Sequence, residues 1–218
     1  MTRPTTLPPG SATGQKPTVF IVDDDEGVRF ALVNLFESID LDVQVFSSAV
    51  ELLRMQLPAV PSCLVLDVRL PGLSGLDLQK ELAKASIQVP IIFMTGHGDI
   101  PMSVKAMKDG AVDFLTKPFR DQDMLDAVML AIGRDRRRRE AETGISALQK
   151  LFEGLTARER EIFALVATGL MNKQIAGQIG IAEITAKIHR GRMMKKMGAK
   201  SVAELVKMAE ALGINRAK

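Results

Sequence analysis

Residues 19–26 read VFIVDDDE, an apolar run that ends abruptly in four carboxylates. Val, Ile and Phe favour β-strands, and a short continuous apolar run is typical of a strand that is buried on both faces. Further apolar runs follow in the first half of the chain, and they end at Phe46, Leu66, Met94 and Leu115. We therefore predict five buried strands in this half.

Segments with helical spacing separate these runs, as in Val28-Leu32-Leu35 and Leu76-Leu78-Leu82. Strands that alternate with helices predict βαβ units and a parallel sheet covered on both faces. With the strand order 2-1-3-4-5, strands one and three are neighbours, and ligands bind outside the carboxyl ends of the strands. We expect the last helix of this half to begin near Asp121.

Polar side chains occupy those strand ends. The first strand finishes in the acidic run Asp23, Asp24 and Asp25. The third strand finishes in Asp67, the fourth finishes in Thr95, and the fifth runs into Lys117. A single acidic turn is usually a helix cap, and a lone threonine at a strand end is usually structural. The combination at four strand ends is much more specific, and it predicts that Asp24 and Asp67 lie side by side.

Clustered carboxylates repel one another, and a hard divalent cation such as Mg²⁺ relieves the repulsion. Such a site can neutralise an incoming phosphoryl group while one carboxylate attacks it and becomes an aspartyl phosphate. Lys117 can supply a positive charge to the phosphoryl oxygens, and Thr95 can donate its hydroxyl to them.

The charge of the chain is divided between its two halves. The net charge is +3, but Lys16 to Ile132 carries −7 and Thr156 to Lys218 carries +7. A small basic domain is typical of a protein that binds a polyanion. The composition also predicts a cytoplasmic protein without a membrane segment, a disordered segment over residues 1–16, and a single cysteine, Cys63, that packs in the core.

Apolar periodicity stops between Gly133 and Gly144, where the sequence is nearly all charged and includes an arginine run at 136–139. We predict a solvated helical linker over residues 134–150, between a first domain over 17–133 and a second over 151–218. A direct contact of the arginine run with DNA is the alternative.

The second domain is predicted to hold four short helices. Thr156-x-x-Glu159 is a capping box at the start of the first helix, which Gly169 ends. Asn172 can cap the second helix, and Gly180 permits a tight turn into a basic third helix from Glu183 to Met197. This arrangement predicts a helix-turn-helix. Its basic third helix is expected to enter a major groove, and a merely solvated basic face is the alternative. Ile184 and Ile188 on that helix are four residues apart and could both pack inward.

Four motifs resemble those of the receiver domains of two-component response regulators, especially of the FixJ/NarL branch. They are Val22-Asp23-Asp24-Asp25-Glu26, Leu66-Asp67-Val68-Arg69-Leu70-Pro71-Gly72, Met94-Thr95-Gly96-His97-Gly98-Asp99 and Phe114-Leu115-Thr116-Lys117-Pro118-Phe119. The resemblance covers roughly residues 18–133 and implies a flavodoxin-like (βα)5 fold.

The same resemblance implies the roles of the site residues. It implies Asp67 as the phosphoacceptor, and Mg²⁺ or Mn²⁺ bound by Asp24, Asp67 and the main-chain carbonyl of Arg69, with Asp23 in the acidic pocket. It also implies that Thr95 and Phe114 form a switch pair and that Lys117 contacts the phosphate. The Lys117–Pro118 peptide bond is implied to be cis. His97, in a glycine-flanked loop, is expected to play a supporting or partner-facing role instead of binding the metal.

The basic domain resembles the LuxR-type output domain of the same branch over roughly residues 151–213. The motifs are Leu155-Thr156-x-Arg158-Glu159, Asn172-Lys173-Gln174-Ile175-Ala176, Thr185-x-Lys187-x-His189-Arg190 and Lys196-Met197. The resemblance implies that Lys187 and Ile188 face base edges, and that the DNA backbone lies near Thr185, His189 and Arg190. Departures at Ala182, Ala186 and Gly191 leave the recognised sequence open. The apolar stripe of the fourth helix, Val202, Leu205 and Val206, is either a dimer contact or core.

These features predict a response regulator and not an enzyme. A sensor histidine kinase or a small phosphodonor would phosphorylate Asp67, and a homodimer would bind promoter DNA and act with RNA polymerase. One rival is a Mg²⁺-dependent phosphohydrolase, which would need a carboxylate two residues past Asp67, where Arg69 stands. The other rival is a transcription factor controlled by a small ligand, and the intact acidic cluster argues against it.

Overall fold

The computed structural model describes residues 16–96 and 100–214. The predictions for residues 1–15 and for His97 fall outside these ranges. The chain divides into two compact units, with the division after Arg139. Within the described ranges, no helix is both long and apolar enough to cross a membrane.

The first unit is a parallel sheet with helices between its strands. The described strands are β1 (Thr18–Val22), β2 (Asp42–Phe46), β3 (Ser62–Asp67), β4 (Ile91–Thr95) and β5 (Asp113–Thr116). The described helices are α1 (Glu26–Glu37), α2 (Ala49–Leu53), α3 (Gly75–Lys84), α4 (Ile100–Lys108) and α5 (Asp121–Glu153). The sheet order is β2-β1-β3-β4-β5, and every pairing is parallel, which confirms the predicted order and fold class.

Side chains of the central strands alternate between two cores, because successive residues of a strand point to opposite faces. Val19 and Ile21 pack with Phe36 of α1 and with α5, whereas Phe20 and Val22 pack with α2 and α3 on the other face. Both faces are covered, which explains why β1 and β3 are buried along their whole length. Cys63 lies in the first of these cores and is fully buried, as predicted, and burial raises the pKa of its thiol strongly.

The helix α5 runs without a break through residues 134–150, the predicted linker. Its charged segment is not wholly solvated, because Asp135 is 1% exposed. The Asp135 carboxylate accepts hydrogen bonds from the Ser62 amide at 2.9 Å and from the guanidiniums of Arg138 and Arg139, each at 2.6 Å. Two arginines of the 136–139 run therefore hold a buried carboxylate that ties α5 to the start of β3.

Replacing Asp135 with asparagine should destabilise the first unit by about 1–2 kcal/mol, because the amide keeps an acceptor for Ser62 but loses the charge that pairs with two guanidiniums. Urea unfolding followed by far-UV circular dichroism measures the change, since the chain has neither Trp nor Tyr for fluorescence. The control is Asp126→Asn, an exposed carboxylate on the same helix, which should cost less than about 0.5 kcal/mol. Equal stability of the two variants would contradict the anchoring role of Asp135.

The second unit contains α6 (Ala157–Ala167), α7 (Asn172–Ile179), α8 (Glu183–Met197) and α9 (Val202–Ala211) among its described residues. A core of its own joins them, built around Phe163, Ile175, Met193 and Leu205. The capping box of Thr156 and Glu159 is present, and Gly180 ends α7 in the left-handed conformation with a φ of 69°. These features confirm the predicted four-helix domain. In the apolar stripe of α9, Leu205 is fully buried.

The prediction that Asn172 caps α7 is wrong. Met171 is the N-cap, and Asn172 is the first helical residue. The Asn172 side chain instead accepts a hydrogen bond from the guanidinium of Arg190 in α8, at 2.9 Å. This contact between the two helices of the helix-turn-helix uses the oxygen that a cap would have needed.

A buried carboxylate also connects α6 to α8. Glu159 is 3% exposed, and its Oε2 accepts from the Thr156 amide at 2.9 Å and from the Lys196 ammonium at 2.6 Å. The hydrogen bond from Lys196, and then that from Thr156, lower the pKa of Glu159 below its ordinary range.

We expect Glu159→Gln to destabilise the second unit by about 1 kcal/mol at pH 7, because glutamine preserves the cap but not the ion pair. A lowered folded-state pKa contributes stability that is present above the unfolded-state pKa and is lost as the pH falls through the folded-state pKa. The difference between Glu159→Gln and wild type should therefore vanish in acid. Hydrogen exchange of the α6 amides at several pH values measures this difference in stability. Glu161→Gln is the control, because Glu161 is exposed. A difference that persists in acid would rule out the ion pair as its origin.

Candidate functional site

The register of the central strands brings Asp23 and Asp67 together. Val22 of β1 pairs with Leu66 of β3, so the residue that follows each of them is an aspartate at the same edge of the sheet. Asp67 in turn pairs with Met94 of β4, and Thr95 of β4 pairs with Thr116 of β5, directly before Lys117. Parallel pairing therefore places all the predicted strand-end residues along one edge.

Asp23, Asp24 and Asp67 form a compact acidic cluster. Each offers a carboxylate oxygen, and these oxygens all lie within 4.8 Å of one another. Asp23 is fully buried, Asp67 is 7% exposed and Asp24 is exposed, so the cluster opens to solvent on the side of Asp24. Asp25 does not belong to it, because its side chain caps α1 by accepting from the amides of Gly27 and Val28.

The ammonium group of Lys117 bridges the two buried carboxylates. Its Nζ lies 2.6 Å from Oδ2 of Asp23 and 2.7 Å from Oδ2 of Asp67. The Lys117–Pro118 peptide bond is cis, as the resemblance implied. The side chain of Lys117, from the loop after β5, thus reaches back across the sheet to the ends of β1 and β3.

The electrostatics of the cluster are unbalanced. Burial raises the pKa of Asp23, even though hydrogen bonds from Lys117 and from the Asp25 amide act in the opposite direction. Burial lowers the pKa of Lys117, but its hydrogen bonds to Asp23 and Asp67 outweigh this effect, so the pKa is raised overall. Three carboxylates face one ammonium, which leaves negative charge that a divalent cation could neutralise.

Backbone contacts fix the carboxylates in place. Oδ1 of Asp67 accepts from the Arg69 amide at 2.8 Å, and Oδ1 of Asp23 accepts from the Asp25 amide at 2.9 Å. The start of α3 packs tightly beneath Asp67, because a Cβ built on Gly75 would lie 2.3 Å from the Asp67 carbonyl oxygen. Only glycine fits at that approach.

One further contact was not predicted and has no signal in the sequence: the guanidinium of Arg29 in α1 donates to the Asp23 carbonyl at 2.7 Å.

The residues of the implied switch pair lie on the strands next to the cluster. Thr95, at the end of β4, is fully buried. Phe114 of β5 is half-buried and packs against Phe93, with ring centroids 6.3 Å apart and an interplanar angle of 45°.

The outer face of α8 differs from the prediction. Ile184 and Ile188 do not pack inward, since they are 64% and 48% exposed. The inner face is instead formed by Ala186, Met193 and Met197, which are buried. Of the residues that the resemblance implied as DNA contacts, Lys187 and Ile188 are exposed, whereas Thr185, His189 and Arg190 are half-buried at the sides of the helix. Ala182 is the N-cap residue of α8, and its side chain makes no capping hydrogen bond.

Comparison with known families identifies the class of protein. Residues 19–129 match the family described as "Response regulator receiver domain", and residues 153–209 match "Bacterial regulatory proteins, luxR family". The chain therefore belongs to the response regulators that join a receiver domain to a LuxR-type DNA-binding domain. This family consists of transcription regulators and not of enzymes, in agreement with the prediction.

Individual relatives are similar over nearly the full length. Nodulation protein W of Bradyrhizobium diazoefficiens is 61% identical over 92% of this chain and 88% of its own, and the transcriptional regulatory protein FixJ of Azorhizobium caulinodans is 43% identical over 90% and 93%. The solved structure of the response regulator StyR has a TM-score of 0.80 at 48% identity and covers 90% of this chain and 99% of its own. A receiver domain implies a sensor kinase as partner, and a LuxR-type domain implies DNA binding.

Proposed function

We propose that Asp67 accepts a phosphoryl group from a sensor histidine kinase or a small phosphodonor, and that this event switches DNA binding by the second unit. One observation supports the proposal above all others. Asp23, Asp24, Asp67 and Lys117, which come from three different segments of the chain, meet at one edge of the sheet. A structural ion pair alone would not require the exposed third carboxylate of Asp24.

In the proposed reaction, a carboxylate oxygen of Asp67 attacks the phosphorus atom, and the bond from phosphorus to the donor's leaving group breaks. Lys117 already touches the Asp67 carboxylate, so its ammonium is placed to pair with an oxygen of the new phosphoryl group. Thr95, at the neighbouring strand end, would donate its hydroxyl to another oxygen. In-line transfer of this kind depends mainly on positioning and on neutralisation of charge.

The acidic cluster suits Mg²⁺ or Mn²⁺ in its donor set and charge. Asp24, Asp67 and the main-chain carbonyl of Arg69 would hold the ion, with Asp23 in the same pocket, since such ions prefer a few carboxylates, a carbonyl and water. Once bound, the ion neutralises negative charge on the phosphoryl oxygens. Together with Lys117 it would balance the three carboxylates.

The proposed switch begins with Thr95. If the Thr95 side chain moves toward the phosphoryl group, it leaves space beside β5. The Phe114 side chain would then move into this space and away from Phe93, on which it now packs. The surface formed by α4 and β5 would change and favour a homodimer. Two copies of α8 would then contact two half-sites of promoter DNA, which raises affinity through effective concentration.

We propose that DNA contacts the exposed face of α8 and the half-buried residues beside it. Lys187 and Ile188 would face base edges, and Thr185, His189 and Arg190 would lie near the DNA backbone. The hydrogen bond from Arg190 to Asn172 would orient the guanidinium for that role. Bound in this way to a promoter in the cytoplasm, the dimer would act on RNA polymerase to regulate transcription.

Sedimentation and DNA binding with and without beryllofluoride, a phosphoryl mimic, test the proposal in the presence of Mg²⁺. The full chain should sediment as a monomer without the mimic and as a dimer with it, and the dimer should select a DNA sequence with two half-sites. Unchanged sedimentation and unchanged DNA affinity would contradict the switch. Steady turnover of a small phosphoester would favour a phosphohydrolase instead.

A further inference from the structure

The outer face of α8 carries an apolar stripe that the core does not need. Ile184 and Ile188 are four residues apart and therefore adjacent on the helix surface. Gly191 lies next to them on the same face of the helix, and the basic Lys195 follows it. A Cβ built on Gly191 would meet no neighbouring atom within 4 Å, so the helix has open space at this position.

The opposite side of α8 already completes the core of the second unit. Ala186 is 1% exposed, Met193 is fully buried and Met197 is 1% exposed. Helical periodicity places these three residues on the side of the helix away from Ile184 and Ile188. Two large apolar side chains on the outer face are therefore surplus to folding and are available for a ligand.

The charge around the stripe restricts the kind of ligand. The helix α8 has five basic residues and one acidic residue, and Lys187 and Arg192 flank the isoleucines on either side. The matching ligand is thus a polyanion that presents small apolar groups between two rows of negative charge. The major groove of DNA meets this description, because phosphates border it and the C5-methyl of thymine is the apolar group on its floor.

We propose that Ile184, alongside Ile188, contacts thymine methyl groups in the major groove, so that Ile184 is a specificity-determining residue for the operator. Ile184 is the second residue of α8, and the N-terminal residues of a recognition helix are those that contact base edges. The inference rests on the proposed DNA binding and adds Ile184 to the residues that determine which sequence is bound. It predicts an operator whose half-sites contain thymine opposite the start of α8.

Uracil substitution tests this inference, because uracil pairs like thymine but lacks the methyl group. The full chain with Mg²⁺ and beryllofluoride is first used to select duplexes from random DNA. Each thymine of the selected duplex is then replaced by uracil, one position at a time, and the Kd is measured. For wild type we expect at least one position per half-site where the loss of the methyl weakens binding roughly fourfold, the value of one buried methyl group.

In Ile184→Ala, the uracil and thymine duplexes should bind equally at one or more of the sensitive positions of each half-site, whereas a position contacted by Ile188 should stay sensitive. The control is Ile145→Ala, since Ile145 is an isoleucine of α5 with a similar exposure of 43%, and this variant should keep both the affinity and the sensitivity of wild type. Uracil sensitivity that survives in Ile184→Ala at every position where wild type is sensitive overturns the inference, as does a wild type that is insensitive at every position. Failure to select any sequence would contradict the proposed function itself, which distinguishes the two results.

Discussion

Asp67→Asn is expected to abolish phosphoryl uptake from acetyl phosphate in the presence of Mg²⁺. The amide that replaces the carboxylate lacks the nucleophilic oxygen. Among the described residues, no other carboxylate of the cluster lies at the end of β3 and also contacts Lys117. We expect a loss of at least about a hundredfold in the rate of labelling, because a covalent route is removed and not merely weakened. Intact-protein mass spectrometry follows the addition of one phosphoryl group per chain.

The fold of this variant should survive, since Lys117 keeps its 2.6 Å contact with Asp23. Asp42→Asn is the matched control, because Asp42 is an exposed carboxylate at the start of β2 and not at the carboxyl end of a strand. It should take up phosphate like wild type. Labelling of Asp67→Asn at the wild-type rate would show that another residue is the phosphoacceptor.

Lys117→Met should lower the free energy of unfolding by about 3 kcal/mol in the absence of divalent ions. Removing one partner of a buried ion pair leaves the other charge buried and unpaired, which costs roughly 3–5 kcal/mol of stability. We expect the lower end of this range, because the Lys117 side chain retains 22% exposure whereas that of Asp23 has none. Urea unfolding followed by circular dichroism in EDTA measures the loss.

The same variant should gain more stability from Mg²⁺ than wild type does, because a bound cation would replace the missing positive charge and ligand binding to the folded state stabilises it. Lys84→Met is the control, since its ion pair with Glu81 is exposed and should be worth less than about 1 kcal/mol. If Lys117→Met were as stable as wild type in EDTA, the lysine would not be holding the acidic cluster together.

Much of the fold and of the acidic site could be predicted because the relevant information is local. Runs such as residues 19–22 and 62–67 mark strands that are buried on both faces, and their parallel order follows from the helices between them. Once the order 2-1-3-4-5 is assumed, the residue after each strand must lie at one edge. Asp23, Asp67 and Lys117 were therefore found from their positions alone.

What could not be predicted depends on contacts between distant segments. Nothing near Asp135 in the sequence indicates that this one charge of a charged stretch is buried, because its partner, the Ser62 amide, is 73 residues away. Asn172 looks like a cap, but Arg190 of α8 takes its oxygen. The four-residue spacing of Ile184 and Ile188 is equally consistent with an inner or an outer face, and Ala186 with Met193 decides the matter by filling the inner one.

The most direct test of the central claim is to locate the phosphorylated residue in the full chain. After incubation with acetyl phosphate and Mg²⁺, borohydride reduces an aspartyl phosphate to homoserine, and tryptic peptides are then sequenced by mass spectrometry. The peptide of residues 55–69 contains Asp67 as its only carboxylate, whereas Asp23 and Asp24 lie in the peptide that ends at Arg29. We predict homoserine at position 67 and nowhere else. Homoserine in the peptide ending at Arg29, or no reduction in any peptide, would contradict the assignment of Asp67 as the phosphoacceptor.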